Sequence, residues 1–98
     1  MSKYVFAYRV PQDYVPGPET MQDWQGWLGS LGEGLADLGQ AVVQTAAVGE
    51  VTDGTRLAGY SVVTADSLED ALTMAKGCPA LQVGGGVEVG AAMNTDAS

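Results

Sequence analysis

The sequence predicts an α+β fold, a four-stranded antiparallel sheet with two helices packed on one face. Three observations carry that expectation. Apolar residues recur at helical spacing in two stretches. Short β-branched and aromatic runs separate and flank those stretches. Proline and glycine punctuate the boundaries. The order that results is β-α-β-β-α-β.

Tyr4 to Val10 reads as the first strand, with Tyr4, Phe6, Tyr8 and Val10 on one face and Val5, Ala7 and Arg9 on the other. So little charge on either side implies that both faces are covered. Pro16, Gly17 and Pro18 mark the loop Gln12–Pro18. The first helix is expected over Glu19–Leu38, because Met21, Trp24, Leu28, Leu31, Leu35 and Leu38 draw one continuous apolar stripe. Gly26, Gly29, Gly32 and Gly34 lie inside it, each costing about 1 kcal/mol against alanine in a helix interior. Packing, rather than propensity, must hold such a helix. Gly26 and Gly29 point away from the stripe, as tolerated drift or as the close approach of another chain.

Gly39 reads as the helix stop and Ala41–Val48 as the second strand. Thr52-Asp53-Gly54-Thr55 has turn chemistry. Leu57–Thr64 is the third strand. Asp66 or Ser67 caps the second helix, Asp66 having the capping-box spacing to Glu69. Leu68, Ala71, Leu72 and Ala75 supply its apolar stripe, Lys76 sits in its last turn, and Gly77 with Pro79 ends it. After Gly84-Gly85-Gly86, Val87-Glu88-Val89 begins the fourth strand. Residues 1–93 form one domain on this reading, and 94–98 a frayed tail. The split βαβ order is that of the ferredoxin-like fold.

Composition bounds the function more by exclusion than by indication. The chain has 98 residues, enough for one domain that removes roughly 64% of its unfolded surface from water. Hydrophobic residues at 46% can supply that core. Four Lys and Arg against twelve Asp and Glu give a net charge of -8, which argues against nucleic acid and anionic membranes as partners. Histidine is absent, and with it the commonest general base and metal ligand. The single cysteine, Cys78, closes no intramolecular disulfide. No apolar window is long enough for a signal peptide or a membrane span, so the expected location is the cytoplasm.

No catalytic constellation emerges from the motifs. Gly84-Gly85-Gly86 leads into a strand and lacks the lysine of a phosphate-binding loop. One cysteine and no histidine exclude a soft-ligand zinc site within a single chain, and the helix-start role of Asp66, Glu69 and Asp70 already explains that acidic group. No metal or cofactor is expected. Cys78 follows a helix C-terminus, where the dipole disfavours thiolate, and reads as packing. Trp24, on the stripe, reads as core; Trp27, on its border, is the better ligand candidate. Tyr8 and Tyr60 have hydroxyls that need partners if buried. Arg9 would pair with a carboxylate or bind an anion.

Several stretches resemble the YCII-related (DGPF-domain) family. They are the opening strand Lys3–Arg9, the helix Trp24–Leu35, the Gly59-Tyr60 strand running into an Asp66-started helix over Leu57–Ala71, and the closing Gly77-Cys78-Pro79 and Gly86–Val89. Together they span nearly the whole chain. The resemblance implies a ferredoxin-like fold that dimerises through its sheets into an α/β barrel. A few similar proteins act on small cyclic or aromatic molecules in the dimer cleft, with a histidine–aspartate pair proposed as catalytic. Here there is no histidine, and Thr55-Arg56 follows Asp53-Gly54 where the name-giving motif has Pro-Phe.

The expected protein is therefore a homodimeric, non-catalytic module that binds a small apolar or aromatic ligand or a protein segment. The alternative is a small-molecule isomerase or lyase that uses Tyr or Asp in place of histidine. Tyr8, Arg9, Trp27 and Tyr60 are the ligand-site candidates, with Asp53 as the candidate acid. A ligand would enter at the edge of the helix layer or at the dimer cleft.

Overall fold

The computed structural model describes residues 2–51 and 54–93. Asp53 and the expected tail at 94–98 lie outside the described residues. Strand β1 (Ser2–Pro11) is followed by helix α1 (Pro18–Ser30), strand β2 (Leu35–Ala41), strand β3 (Thr55–Ala65), helix α2 (Leu68–Ala75) and strand β4 (Gly86–Ala91). The sheet order is β2-β3-β1-β4, with every neighbouring pair antiparallel. This is the ferredoxin-like arrangement. No helix among the described residues is long and apolar enough to cross a membrane.

The alternation of β1 explains why the core lies on one side. Tyr4, Phe6, Tyr8 and Val10 are buried, and register places Val63 of β3 beside Tyr4 and Val89 of β4 beside Phe6. Onto this face pack Trp27 from α1, Ala71 and Ala75 from α2, Cys78, and Ala80 from the 3-10 segment Pro79–Val83 that Cys78 precedes. Both helices thus cover the same face. Their small and aromatic residues complement each other: Ala71 and Ala75 let α2 approach closely, while Trp27 stacks on Phe6 with ring centroids 6.3 Å apart. The other face of the sheet, carrying Val5, Ala7, Tyr60 and Val62, has no helix over it among the described residues.

The first half departs from the periodicity. Helix α1 ends at Ser30, not Leu38, because Gly32 adopts φ +55° and turns the chain out of the helix. Leu35 and Leu38, which continue the apolar spacing, belong to β2. The second strand is accordingly Leu35–Ala41 rather than Ala41–Val48. Beyond it, Val42 N–H still reaches Ala58 O at 2.9 Å, but the chain then leaves the sheet edge, and Val43 and Val48 are exposed despite their β propensity. Propensity without a partner strand forms no ladder.

Gly39 is not a helix stop. It sits in β2 at φ +76°, where the register with β3 slips, and a Cβ there would run into the Tyr60 carbonyl. Asp37 Oδ1 accepts from Gly39 N–H at 2.9 Å and stabilises the irregularity. Gly26 and Gly29 face open space. At α2 the cap is Ser67, whose Oγ accepts from Asp70 N–H at 3.1 Å. Leu68 and Leu72 remain exposed at 46% and 44%, so the buried stripe of α2 is Ala71 and Ala75 alone among the four expected residues.

Candidate functional site

An apolar cleft of about 630 Å³ opens between α1 and the β2–β3 edge of the sheet. Its origin is the way α1 is seated. Trp27 is drawn into the core, while Met21, Trp24 and Leu28 line the cleft, Trp24 and Leu28 half-buried against the core and Met21 turned outward. Met21 is 62% exposed as a result. Leu38, Ala58 and Val10 supply the sheet side of the cleft, and the chain from Gly39 to Val43 its outer lip. The size is that of a site for a small organic molecule, and the walls are mainly hydrophobic with few polar groups, as such sites usually are.

Tyr8 forms part of the floor. Its ring meets Trp24 edge-on at 4.7 Å and Trp27 at 5.8 Å, within an aromatic group that includes Phe6. Its hydroxyl is buried and has no hydrogen-bond partner among the described residues. The neighbouring Ser61 hydroxyl gives its proton to Leu38 O at 2.7 Å. Burial pushes the Tyr8 phenol up to about 12, an effect opposed by the Ser61 hydroxyl and reinforced by Cys78. At neutral pH Tyr8 is therefore a neutral hydrogen-bond donor, not a base.

At the mouth, Arg56 is the only charged side chain among the described residues lining the cleft. It stands opposite Val10 in the β1–β3 register, and its Nη2 donates to Tyr14 O at 3.1 Å. The Tyr14 hydroxyl in turn shares a 2.8 Å hydrogen bond with Thr20 Oγ1 in the first turn of α1. The loop before α1 is thus fastened both to β3 and to the helix it introduces.

The four described candidates read from the sequence do not gather at one place. Tyr8 is on the helix side and in the cleft. Trp27 is a core residue, 9% exposed, with its Nε1 donating to Met74 O at 3.3 Å; Trp24, half-buried, is the indole at the cleft. The two tryptophans exchange the roles that the stripe implies. Arg9 lies on the opposite sheet face, its Nε donating to Thr55 Oγ1 at 3.0 Å rather than to a carboxylate. Tyr60 contributes to the cleft wall, but alternation along β3 turns its ring toward the open face, away from Ser61 and Val63. Asp53 lies outside the described residues.

Arg56, Leu38 and Ala58 are cleft residues that periodicity does not reveal. Their contacts join segments distant in the chain, such as Arg56 with Tyr14 across 42 positions. Cys78, 1% exposed, has its thiol pushed up to about 11 by burial, with a backbone hydrogen bond near Ala80 pulling the other way. It is a packed thiol, not a nucleophile. Among the described residues, no three His, Cys, Asp or Glu side chains gather as a metal site requires. No family model matches the chain, and no curated protein matches its sequence.

Proposed function

We propose that this protein is a non-catalytic binding module for a small apolar or aromatic molecule, held in the cleft between α1 and the β2–β3 edge. The observation that carries the proposal is the gap of about 630 Å³ lined by Met21, Trp24 and Leu28 of α1 on one side and by Val10, Leu38 and Ala58 of the sheet on the other. An apolar stripe facing an apolar sheet edge across open space gains by burying a ligand's hydrocarbon surface. Among the described residues, the lining contains no carboxylate, thiol or imidazole that would serve as a base, and Tyr8 stays protonated. That favours binding over the isomerase or lyase alternative.

The test uses N-phenyl-1-naphthylamine, a neutral probe that fluoresces in apolar surroundings. Saturable binding by the native chain is expected, and Ala58→Phe, which fills the cleft from β3, should abolish it while leaving the circular dichroism unchanged. A folded Ala58→Phe chain that binds the probe as well as the native one removes the cleft from consideration. Trp24→Ala, at the opposite wall, provides a second variant should Ala58→Phe not fold.

A second proposal concerns self-association. The uncovered sheet face carries Val5, 38% exposed, and Tyr60, 39% exposed, with Ala7 and Val62 between them and Lys3, Arg9 and Glu88 around them. An apolar centre with a charged rim has the composition of an interface, and pairing of two such faces would give the dimeric barrel that the YCII-related resemblance implies. That family assignment is itself part of this proposal, supported by the order of the Lys3–Arg9, Leu57–Ala71 and Gly86–Val89 stretches. Light scattering should return twice the monomer mass for the native chain and the monomer mass for Val62→Lys. A native chain that scatters as a monomer at micromolar concentration overturns the dimer.

A further inference from the structure

Resting on the reading of the cleft as a binding site, we infer that its ligand is an organic acid, an aryl or alkyl carboxylate whose anionic group is taken by Arg56. Three observations converge. The chain carries twelve acidic residues against four basic ones, yet the charged group lining the cleft is a guanidinium, and among the described residues no Asp or Glu lines it. The guanidinium is held in place, because Nη2 donates to Tyr14 O at 3.1 Å and Tyr14 is itself tied to Thr20. Its other N–H donors have no protein acceptor among the described residues, so a planar fork of donors remains for a carboxylate.

The placement suits such a molecule. Arg56 and Val10 face each other across the β1–β3 ladder, and Tyr8 is the next residue along the same face of β1, roughly 7 Å away at strand spacing. A carboxylate at Arg56 would therefore direct the apolar body over Val10 toward Tyr8 and Trp24. Half-burial strengthens the ion pair relative to one in open water, while the acidic remainder of the surface disfavours anions elsewhere. The same guanidinium would leave a neutral ligand of equal shape with only its hydrophobic contacts.

The experiment compares 4-pentylbenzoate with 4-pentylbenzamide, which share a body and differ in charge, by titration calorimetry on the native chain and on Arg56→Gln. The native chain should bind the benzoate about tenfold or more tightly than the amide, as expected for a charge-assisted hydrogen bond. Arg56→Gln should bring the two to within about twofold by weakening only the benzoate. Equal affinities in the native chain, or a benzoate preference that survives Arg56→Gln, overturn the acid assignment while leaving the cleft as a site. Failure of both probes to bind, in a chain that also ignores N-phenyl-1-naphthylamine, overturns the binding reading and this inference with it.

Discussion

The indole N–H of Trp27 in α1 donates to the carbonyl of Met74 in α2, at 3.3 Å. That carbonyl belongs to the last turn of α2, where intrahelical donors have run out. One side chain therefore stacks on Phe6, fills the core and satisfies an orphan acceptor on the other helix. It also fixes α1 to the core one turn beyond Trp24, which lines the cleft.

Trp27→Phe should cost about 1–3 kcal/mol, since it keeps most of the ring packing but leaves the Met74 carbonyl unpaired. Trp27→Ala should cost about 3–5 kcal/mol through the added cavity. Urea denaturation gives both values. Trp24→Ala, by contrast, should cost less and impair probe binding, which separates the two indoles by role. A larger stability loss at Trp24 than at Trp27 would contradict this division.

Ser67→Ala should destabilise the protein by about 1 kcal/mol, the usual worth of an N-cap hydrogen bond. Asp66→Ala should have a clearly smaller effect. The pair of variants decides between the two residues that the sequence offers as caps, and thermal unfolding at neutral pH is sufficient to read it.

Gly39→Ala should be costly, by about 1–2 kcal/mol for the left-handed backbone alone, with the encounter with the Tyr60 carbonyl added. Gly26→Ala should do the opposite and stabilise by about 1 kcal/mol, because its Cβ would meet open space in the middle of α1. Opposite signs at two glycines fewer than fifteen positions apart test the reassignment of β2 directly. A destabilising Gly26→Ala would point instead to a chain packed against that face of α1.

Alkaline pH should weaken the fold through Cys78 and Tyr8. Both groups have folded pKa values above their ordinary ones, 9.0 raised to about 11 for Cys78 and 10.0 raised to about 12 for Tyr8. The unfolded chain loses these protons first, so the stability they contribute is complete below pH 9 and is lost progressively from there to about 12. Cys78→Ala should flatten the decline between pH 9 and 11, and Tyr8→Phe that between 10 and 12, in urea titrations across this range. An unchanged slope in both variants would show that the two groups are not buried in the native state.

What the residues determined locally was the strand character of β1 and β3, their two-faced alternation, the existence of α2 and its end before Pro79. Those features depend on neighbours in the chain: side chains two apart share a strand face, and a proline forbids the next helical hydrogen bond whatever surrounds it. The tertiary structure decided the rest. Leu35 and Leu38 match a helical stripe as well as they match an edge strand, and the left-handed turn at Gly32, followed by the ladder with β3, settles them as strand. Asp66 and Ser67 are both competent caps until the helix begins at Leu68. Trp24 and Trp27 are adjacent turns of one apolar surface. Which of them is core depends on where the sheet edge falls beneath α1, a relation between segments distant in the chain. The cleft has the same cause. A helix with an apolar face must bury it somewhere, but local periodicity is silent on how far the opposing surface extends.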